Sequence, residues 1–367
     1  MSQTIGFRSP EEWERVAKER LEKGAFEYIQ SGAGIEETLQ SNTEGFKQWK
    51  IVPRVLRNVS KVDLTKDILG TVSPVPFALA PVGFQTIIHQ EGELAAAKAA
   101  AIHQVPYTVS TVSTSSMEEI AKVMGDAPRF FQLYWPSDDD IALSFVKRAE
   151  KCGYSAIFVT VDTPILGFRE QDKQNQYFPL SKGQGLGNYL TDPVFKEKAK
   201  LITEETQEAI AEVSSRLFNP SLTWENVKWL RSKTNLPIVL KGILHAGDAK
   251  LAMDHGVNGI VVSNHGGRQL DGSISSIDAL PAIVDEVKGQ IDILFDGGIR
   301  RGSDVIKALA LGADSVLIGR LFAYGLTNGQ DGVETVITQL IAEIQSALAL
   351  SGETDLSSLQ QIEVVKT

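Results

Sequence analysis

The sequence predicts an α/β chain folded as a (β/α)8 TIM barrel, with a helical extension before the barrel and a lid insertion after its fourth strand. Three observations carry this. From Pro76 onward, eight short β-branched runs alternate with stretches of helical period. Most of the runs start ~20 to 35 residues apart, the span that a parallel crossover through a helix requires. The residues that close the runs are polar or glycine, as expected where a barrel assembles its site at the C-terminal strand ends.

Taken in order, residues 1–75 read as helices and loops packed outside the barrel. Ser9-Pro10-Glu11-Glu12 is a capping box with proline at the first helical position, and a charged helix follows to about Leu21 in place of an apolar signal region. The strands are expected at Phe77–Ala80, Tyr107–Ser110, Phe130–Tyr134, Ala156–Val161, Ile238–Lys241, Gly259–Ser263, Ile291–Phe295 and Ser315–Ile318. Helical segments lie between them at Gly92–His103, Met117–Met124, Asp138–Lys151, Ala246–His255, Ile277–Val287 and Ser303–Leu311, the last capped by Ser303. About 75 residues separate strands four and five, far beyond an ordinary connection. Residues 178–220 of that gap, charged around Lys196–Glu212, read as a lid over the barrel mouth, with a disordered or oligomer-contact loop as the alternative. The whole chain, 1–367, is expected to form one domain.

Composition narrows the function. With 36 basic and 46 acidic side chains the net charge is -10, which disfavours a nucleic-acid or anionic-lipid partner. The longest mainly apolar stretch, Pro74–Ile88, is broken by prolines and is shorter than the ~18 to 20 residues of a membrane helix. The lone cysteine, Cys152, suits a reducing compartment, and Val365-Lys366-Thr367 matches no peroxisomal address, so the cytoplasm is expected.

The chemistry is read at the strand ends. Gly297, Gly298, Gly319 and Arg320 after strands seven and eight suit an anion, since glycines admit backbone N–H groups and arginine adds charge-assisted bonds. The anion would be the phosphate of a cofactor or of a substrate. His265, beside two glycines and Arg268, is placed for general-base work, with Asp162 stabilising the imidazolium and Arg268 gripping an anionic substrate. Lys241 admits three roles: a charge beside an electron-rich cofactor, a Schiff-base nucleophile, or a salt bridge. Ser110, Gln132, Tyr134 and Thr160 add hydrogen-bonding groups to the same rim. The spacing of the other histidines suggests no metal site.

Ser263-Asn264-His265-Gly266-Gly267-Arg268-Gln269-Leu270-Asp271 resembles the signature of the FMN-dependent 2-hydroxy acid oxidase and dehydrogenase family, which includes glycolate oxidase, lactate oxidase and mandelate dehydrogenase. Phe26-Glu27-Tyr28, Phe131-Gln132-Leu133-Tyr134, Thr160-Val161-Asp162-Thr163-Pro164, Gly167-Phe168-Arg169-Glu170 and Asp296–Arg301 match it too, so the likeness covers nearly the whole chain. It implies His265 as catalytic base aided by Asp162, with Tyr28, Tyr134, Arg169 and Arg268 around the substrate carboxylate. FMN would rest on the backbone of Pro81, Val82 and Gly83. Ser110, Gln132 and Thr160 would bond its ring, Lys241 would set a positive charge beside it, and Ser263 would contact it. Asp296, Gly297, Gly298, Arg300, Gly319 and Arg320 would surround its phosphate end.

The resemblance further implies oxidation of an (S)-2-hydroxy acid to a 2-oxo acid by a homotetramer. L-lactate is expected as the substrate, and O2 as the acceptor giving H2O2. The alternatives are a larger, mandelate-like acid or a non-oxygen acceptor and, in a different class, a phosphate-binding barrel aldolase using Lys241. Val112 stands where glycolate oxidase has a large aromatic, and Val82 replaces a hydroxylated residue. Both changes are expected to enlarge the substrate pocket, and Gly83 to leave room at the flavin edge for oxygen.

Overall fold

The computed structural model describes residues 6–200 and 207–367. Eight parallel strands close a barrel: β1 Phe77–Leu79, β2 Tyr107–Val109, β3 Arg129–Tyr134, β4 Ile157–Thr160, β5 Ile238–Ile243, β6 Gly259–Val262, β7 Asp292–Phe295 and β8 Ser315–Ile318. Strand ends agree with the sequence expectation to within two residues, and β5 runs the full two residues further, past a bulge between Lys241 and Ile243. The strand pattern alternates faces with a period of two. Ala78, Phe130, Ala156, Phe158, Val239, Val261, Leu294 and Leu317 point inward and fill the barrel, where small residues leave room for the stacked rings of Phe130 and Phe158. Neighbours of opposite parity, such as Phe131, Val159, Leu240 and Phe295, pack beneath the outer helices.

The same parity positions the site. Two residues past an inward core residue comes another inward residue, nearer the C-terminal mouth. Phe130 leads to Gln132 and Tyr134, Phe158 to Thr160, Val239 to Lys241, Val261 to Ser263, Leu294 to Asp296 and Leu317 to Gly319.

Two sequence expectations need correction. Residues 6–75 are not solely helices and loops outside the barrel. Helices Pro10–Arg20, Lys23–Gln30 and Glu37–Gln48 are present, and the first has the expected capping box. However, Trp49–Val52 pairs antiparallel with Glu363–Lys366, and the hairpin Lys66–Ile68/Thr71–Ser73 inserts Ile68 and Leu69 into the barrel core as a plug. These strands are only three or four residues long, too short for a periodicity to register. The helix after β7, Gly302–Ala310, is capped not by Ser303 but through Asp304, whose carboxylate accepts from the Arg300 and Arg301 N–H groups.

Between β4 and β5 lie short helices, and the last of them, Trp224–Arg231, supplies the crossover expected of a βα unit. The start of the insertion is tied to the barrel. The Asn188 amide donates to the carbonyls of Ser110 and Thr111, and Arg148 pairs with Asp192 at 3.0 Å and with Glu118 at 2.8 Å. Part of the expected lid, residues 201–206, lies outside the described residues.

The stretch Arg320–Ser351 has the length and apolar character (mean hydropathy 1.2) of a membrane helix, longer than the Pro74–Ile88 run singled out from sequence. It is interrupted at Leu326–Asn328, and Val333, Ile337, Leu340 and Ile344 are buried against the outer layer of the barrel.

Candidate active site

One cavity at the C-terminal mouth is lined by most of the residues singled out from sequence: Tyr28, Pro81, Val82, Gly83, Tyr134, Thr160, Arg169, Lys241, His265, Arg268, Asp296, Gly297, Gly298, Arg300, Gly319 and Arg320. Asp162 stands directly behind His265. Ser110, Gln132 and Ser263 do not line the cavity but lie beneath it. The Ser110 hydroxyl donates to Gln132 Oε1, whose amide donates in turn to Thr160 Oγ1 at 2.9 Å. Ser263 Oγ accepts from Lys241 Nζ at 2.9 Å and donates to Asp296.

The loop after β6 is shaped for His265. His265, Gly266 and Gly267 all have positive φ (60°, 64° and 76°), a conformation unfavourable for a non-glycine residue and characteristic of functional sites. Ser263 Oγ accepts the His265 N–H at 3.0 Å, and Asn264 Oδ1 accepts that of Gly267. The glycines are required by close approach: a Cβ on Gly267 would lie 2.6 Å from the Leu39 backbone. Asn42, in the extension helix, exchanges two 2.8 Å amide hydrogen bonds with Asn264, so a residue distant in sequence braces the histidine loop.

His265 Nδ1 and Asp162 Oδ1 are 2.8 Å apart, while Nε2 faces the Tyr134 hydroxyl at 3.2 Å. Gly242, at the β5 bulge, makes room for the pair, since a Cβ there would sit 2.5 Å from that of Asp162. Burial lowers the His265 pKa, and the Asp162 carboxylate offsets only part of that effect. The imidazole is therefore held neutral at neutral pH, with Asp162 fixing its Nδ1 side and Nε2 free to accept a proton. Burial acts against ionisation of Asp162, but His265, Lys241 and Thr163 outweigh it and its pKa is lowered.

Lys241 pairs with Asp296 at 3.0 Å. Burial disfavours its charge, yet Asp296 and Asp162 raise its pKa above the ordinary value. An amine held protonated cannot form a Schiff base, which disfavours the nucleophilic role left open by the sequence.

The donor set fits FMN. Arg300 and Arg320 have no carboxylate within 4.0 Å among the described residues, and the Arg320 guanidinium donates only to the carbonyls of Ile29, Ser31 and Gly266. Burial, with Arg268 and Arg300 nearby, pushes the Arg320 pKa down to about 9. Such uncompensated charge calls for an anion. Gly319 opens onto the same end of the cavity, where an added Cβ would meet only Ala80, at 3.8 Å. Arg300, Arg320 and the Gly298 and Gly319 backbone would hold the phosphate, and Lys241 would present positive charge to the ring. Replacing Gly319 with valine is expected to lower FMN affinity by at least tenfold, as read by flavin fluorescence titration.

A family model described as FMN-dependent dehydrogenase matches residues 17–366. The chain belongs to this family. FMN is its cofactor, and the family acts on 2-hydroxy acids. An L-lactate oxidase of Lysinibacillus sphaericus (strain C3-41) is 50% identical over 354 residues, covering 96% of this chain and 91% of that one. The 2-hydroxyacid oxidase 1 of Homo sapiens is 43% identical over 342 residues, covering 93% and 92%. Among solved structures, mandelate oxidase with (S)-4-hydroxymandelic acid superposes with a TM-score of 0.89 at 38% identity, covering 98% of this chain and 99% of that one. Membership removes the aldolase alternative.

Several site residues escaped the sequence reading. Phe178 from one end of the insertion and Leu217 and Phe218 from the other wall the cavity, and Leu166 joins them. Glu93 is fully buried in the first turn of Gly92–Ile102, where Oε1 accepts from the N–H groups of Gln85 and Thr114 and so ties together the loops after β1 and β2. A glutamate there reads in sequence as an ordinary first-turn acid. Gly83 lines the cavity and tolerates no side chain, since a Cβ on it would meet Val112 Cγ2 at 2.5 Å and the Ser110 hydroxyl at 3.2 Å.

Proposed function

We propose that this protein is an oxidase of (S)-2-hydroxy acids, L-lactate foremost, converting the acid and O2 to the 2-oxo acid and H2O2. The observation that carries the reading is one cavity in which a neutral His265, backed by Asp162 at 2.8 Å, faces Arg169 and Arg268. Bound FMN supplies the two-electron acceptor. Arg169 and Arg268, with the Tyr28 and Tyr134 hydroxyls, receive the substrate carboxylate and orient the hydroxyl-bearing carbon. His265 Nε2 takes a proton from the acid, and Asp162 stabilises the resulting imidazolium.

The lactate and 2-hydroxyacid oxidases among the relatives support the substrate class and oxygen as acceptor. A second reading, a bulkier mandelate-like acid, is supported by the mandelate oxidase neighbours and by a wall of Val112, Leu166, Leu217 and Phe218. A reducing compartment such as the cytoplasm is supported by the unpaired Cys152, and self-association by the exposed Ile165, Phe168 and Leu270.

The test is anaerobic mixing of the yellow holoenzyme with a panel of 2-hydroxy acids, followed by air. Bleaching fastest with L-lactate, absent with the D-enantiomer, and reversed by air with one peroxide per turnover is the expected result. Faster bleaching by mandelate would favour the second reading, and colour that fails to return in air would remove oxygen as acceptor.

A further inference from the structure

Asp172 lies in the short helix Glu170–Gln174 beyond β4 and has no part in the chemistry above. Its side chain is only 11% exposed, and Oδ2 sits 3.9 Å from Arg268 Nη2 and 4.0 Å from Arg169 Nη1. Among the described residues neither carboxylate oxygen has a partner at normal hydrogen-bond geometry, and the nearby Ser31 hydroxyl is the one donor that bears on it. A buried carboxylate normally gathers donors, whereas here two guanidinium groups stop just outside hydrogen-bonding range.

Both arginines are anchored by other groups. Arg268 donates to the Ser31 carbonyl at 2.6 Å, and its guanidinium covers the Tyr28 ring at 4.8 Å. Arg169 donates to the Arg268 carbonyl at 3.1 Å and to Gln269 Oε1 at 3.4 Å. Their orientation is therefore set without Asp172, whose contribution to the pair is charge. Burial raises the Asp172 pKa, and the two arginines work against that rise.

We propose that Asp172 is a built-in counter-ion that weakens the anion site formed by Arg169 and Arg268, so that a carboxylate ligand binds and leaves instead of being trapped. This rests on the reading that those two arginines receive the substrate carboxylate. Substrate and 2-oxo acid product carry the same carboxylate, so extra attraction would strengthen both complexes equally and do nothing for the chemical step. A negative charge about 4 Å behind the guanidinium groups offsets that attraction through a largely dry interior. Asp172 is thus a positioning residue for charge, acting through the arginines.

The experiment titrates FMN-loaded enzyme with oxalate, a carboxylate with no α-hydrogen to lose, at about pH 8, well above the ordinary carboxylate range. Binding is read from the flavin absorbance. Asp172→Asn, which keeps the shape and removes the charge, is expected to bind oxalate roughly tenfold tighter. Asp172→Ser should tighten binding as well, while Asp172→Glu should stay within about twofold of wild type. In turnover, the Asn variant should show a lower KM with a kcat that does not rise, and stronger inhibition by the 2-oxo acid.

Unchanged or weaker oxalate binding in Asp172→Asn with wild-type flavin content would overturn the inference and make Asp172 a structural support. Loss of flavin from both the Asn and Ser variants would overturn it equally. Failure of oxalate to bind the wild-type enzyme is distinguishable from both, because it removes the carboxylate reading of the arginine pair itself and the inference with it.

Discussion

Alanine at position 265 is expected to leave FMN bound while lowering the rate of substrate bleaching by about 10^2 to 10^4. The imidazole is placed by groups away from the phosphate end: Asp162 on Nδ1 at 2.8 Å, the Ser263 hydroxyl on the backbone N–H, and the Asn42–Asn264 pair that braces the loop. Removing the ring removes the proton acceptor and leaves the phosphate end intact. Stopped-flow bleaching of flavin-replete variant checks this, and undiminished bleaching would dismiss His265 as base.

The pH dependence follows with a definite sign. A base must be neutral to accept a proton, so activity is lost as pH falls through its pKa. Burial lowers that pKa and Asp162 raises it part of the way back, so the acid limb of kcat/KM is expected below the ~6.5 of a free imidazole. Asp162→Asn should move the limb further toward acid while cutting the plateau by about 10^2, because the imidazolium loses its counter-charge. A limb that moves toward neutral pH in the Asn variant would contradict this account.

Arg268→Ala is expected to lower kcat/KM by about 10^2 to 10^3, mostly through KM, in line with the ~2 to 5 kcal/mol lost when one partner of a buried ion pair is truncated. The guanidinium is largely buried (13% exposed), stacks on Tyr28 and is held by the Ser31 carbonyl, so its loss leaves Arg169 as the one remaining guanidinium beside Asp172 among the described residues. Lysine should restore little, since a point charge replaces a planar fork. Steady-state kinetics with the acid and with its uncharged amide separate charge recognition from general damage. The amide should react slowly with wild type and be nearly indifferent to the substitution. An amide penalty equal to that of the acid would mean that Arg268 does not read the carboxylate.

The barrel and much of the site could be read from sequence because both are written in local periodicity. Alternation with period two assigns Lys241, Thr160, Gln132 and Asp296 to the interior once Val239, Phe158, Phe130 and Leu294 are recognised as core, and the polar residue ending each run marks the mouth. Ser110, Gln132 and Ser263 are joined by hydrogen bonds to the lining residues Thr160 and Lys241, links between strands that periodicity within one strand does not record. Lys241 shows the limit of composition. A lone lysine at a strand end suits a nucleophile, a fixed charge or a salt bridge equally well, and the Asp296 carboxylate 3.0 Å away forms the salt bridge and speaks against the nucleophile.

By itself the sequence determined the eight βα units, the parity that aims each strand-end residue, the glycines and arginines that close strands seven and eight, and the His265–Arg268 segment, all of which depend on neighbours within a few residues. Tertiary structure alone decided the plug of Ile68 and Leu69, the bracing of Asn264 by Asn42, the buried tie of Glu93, the closing of the cavity by Phe178 and Phe218, and the seating of Asp172 behind two arginines. Those contacts join residues far apart in the chain. Whether such a side chain ends in solvent, in the core or beside a charge is set by which surfaces packing brings together, and periodicity within one segment carries no record of that.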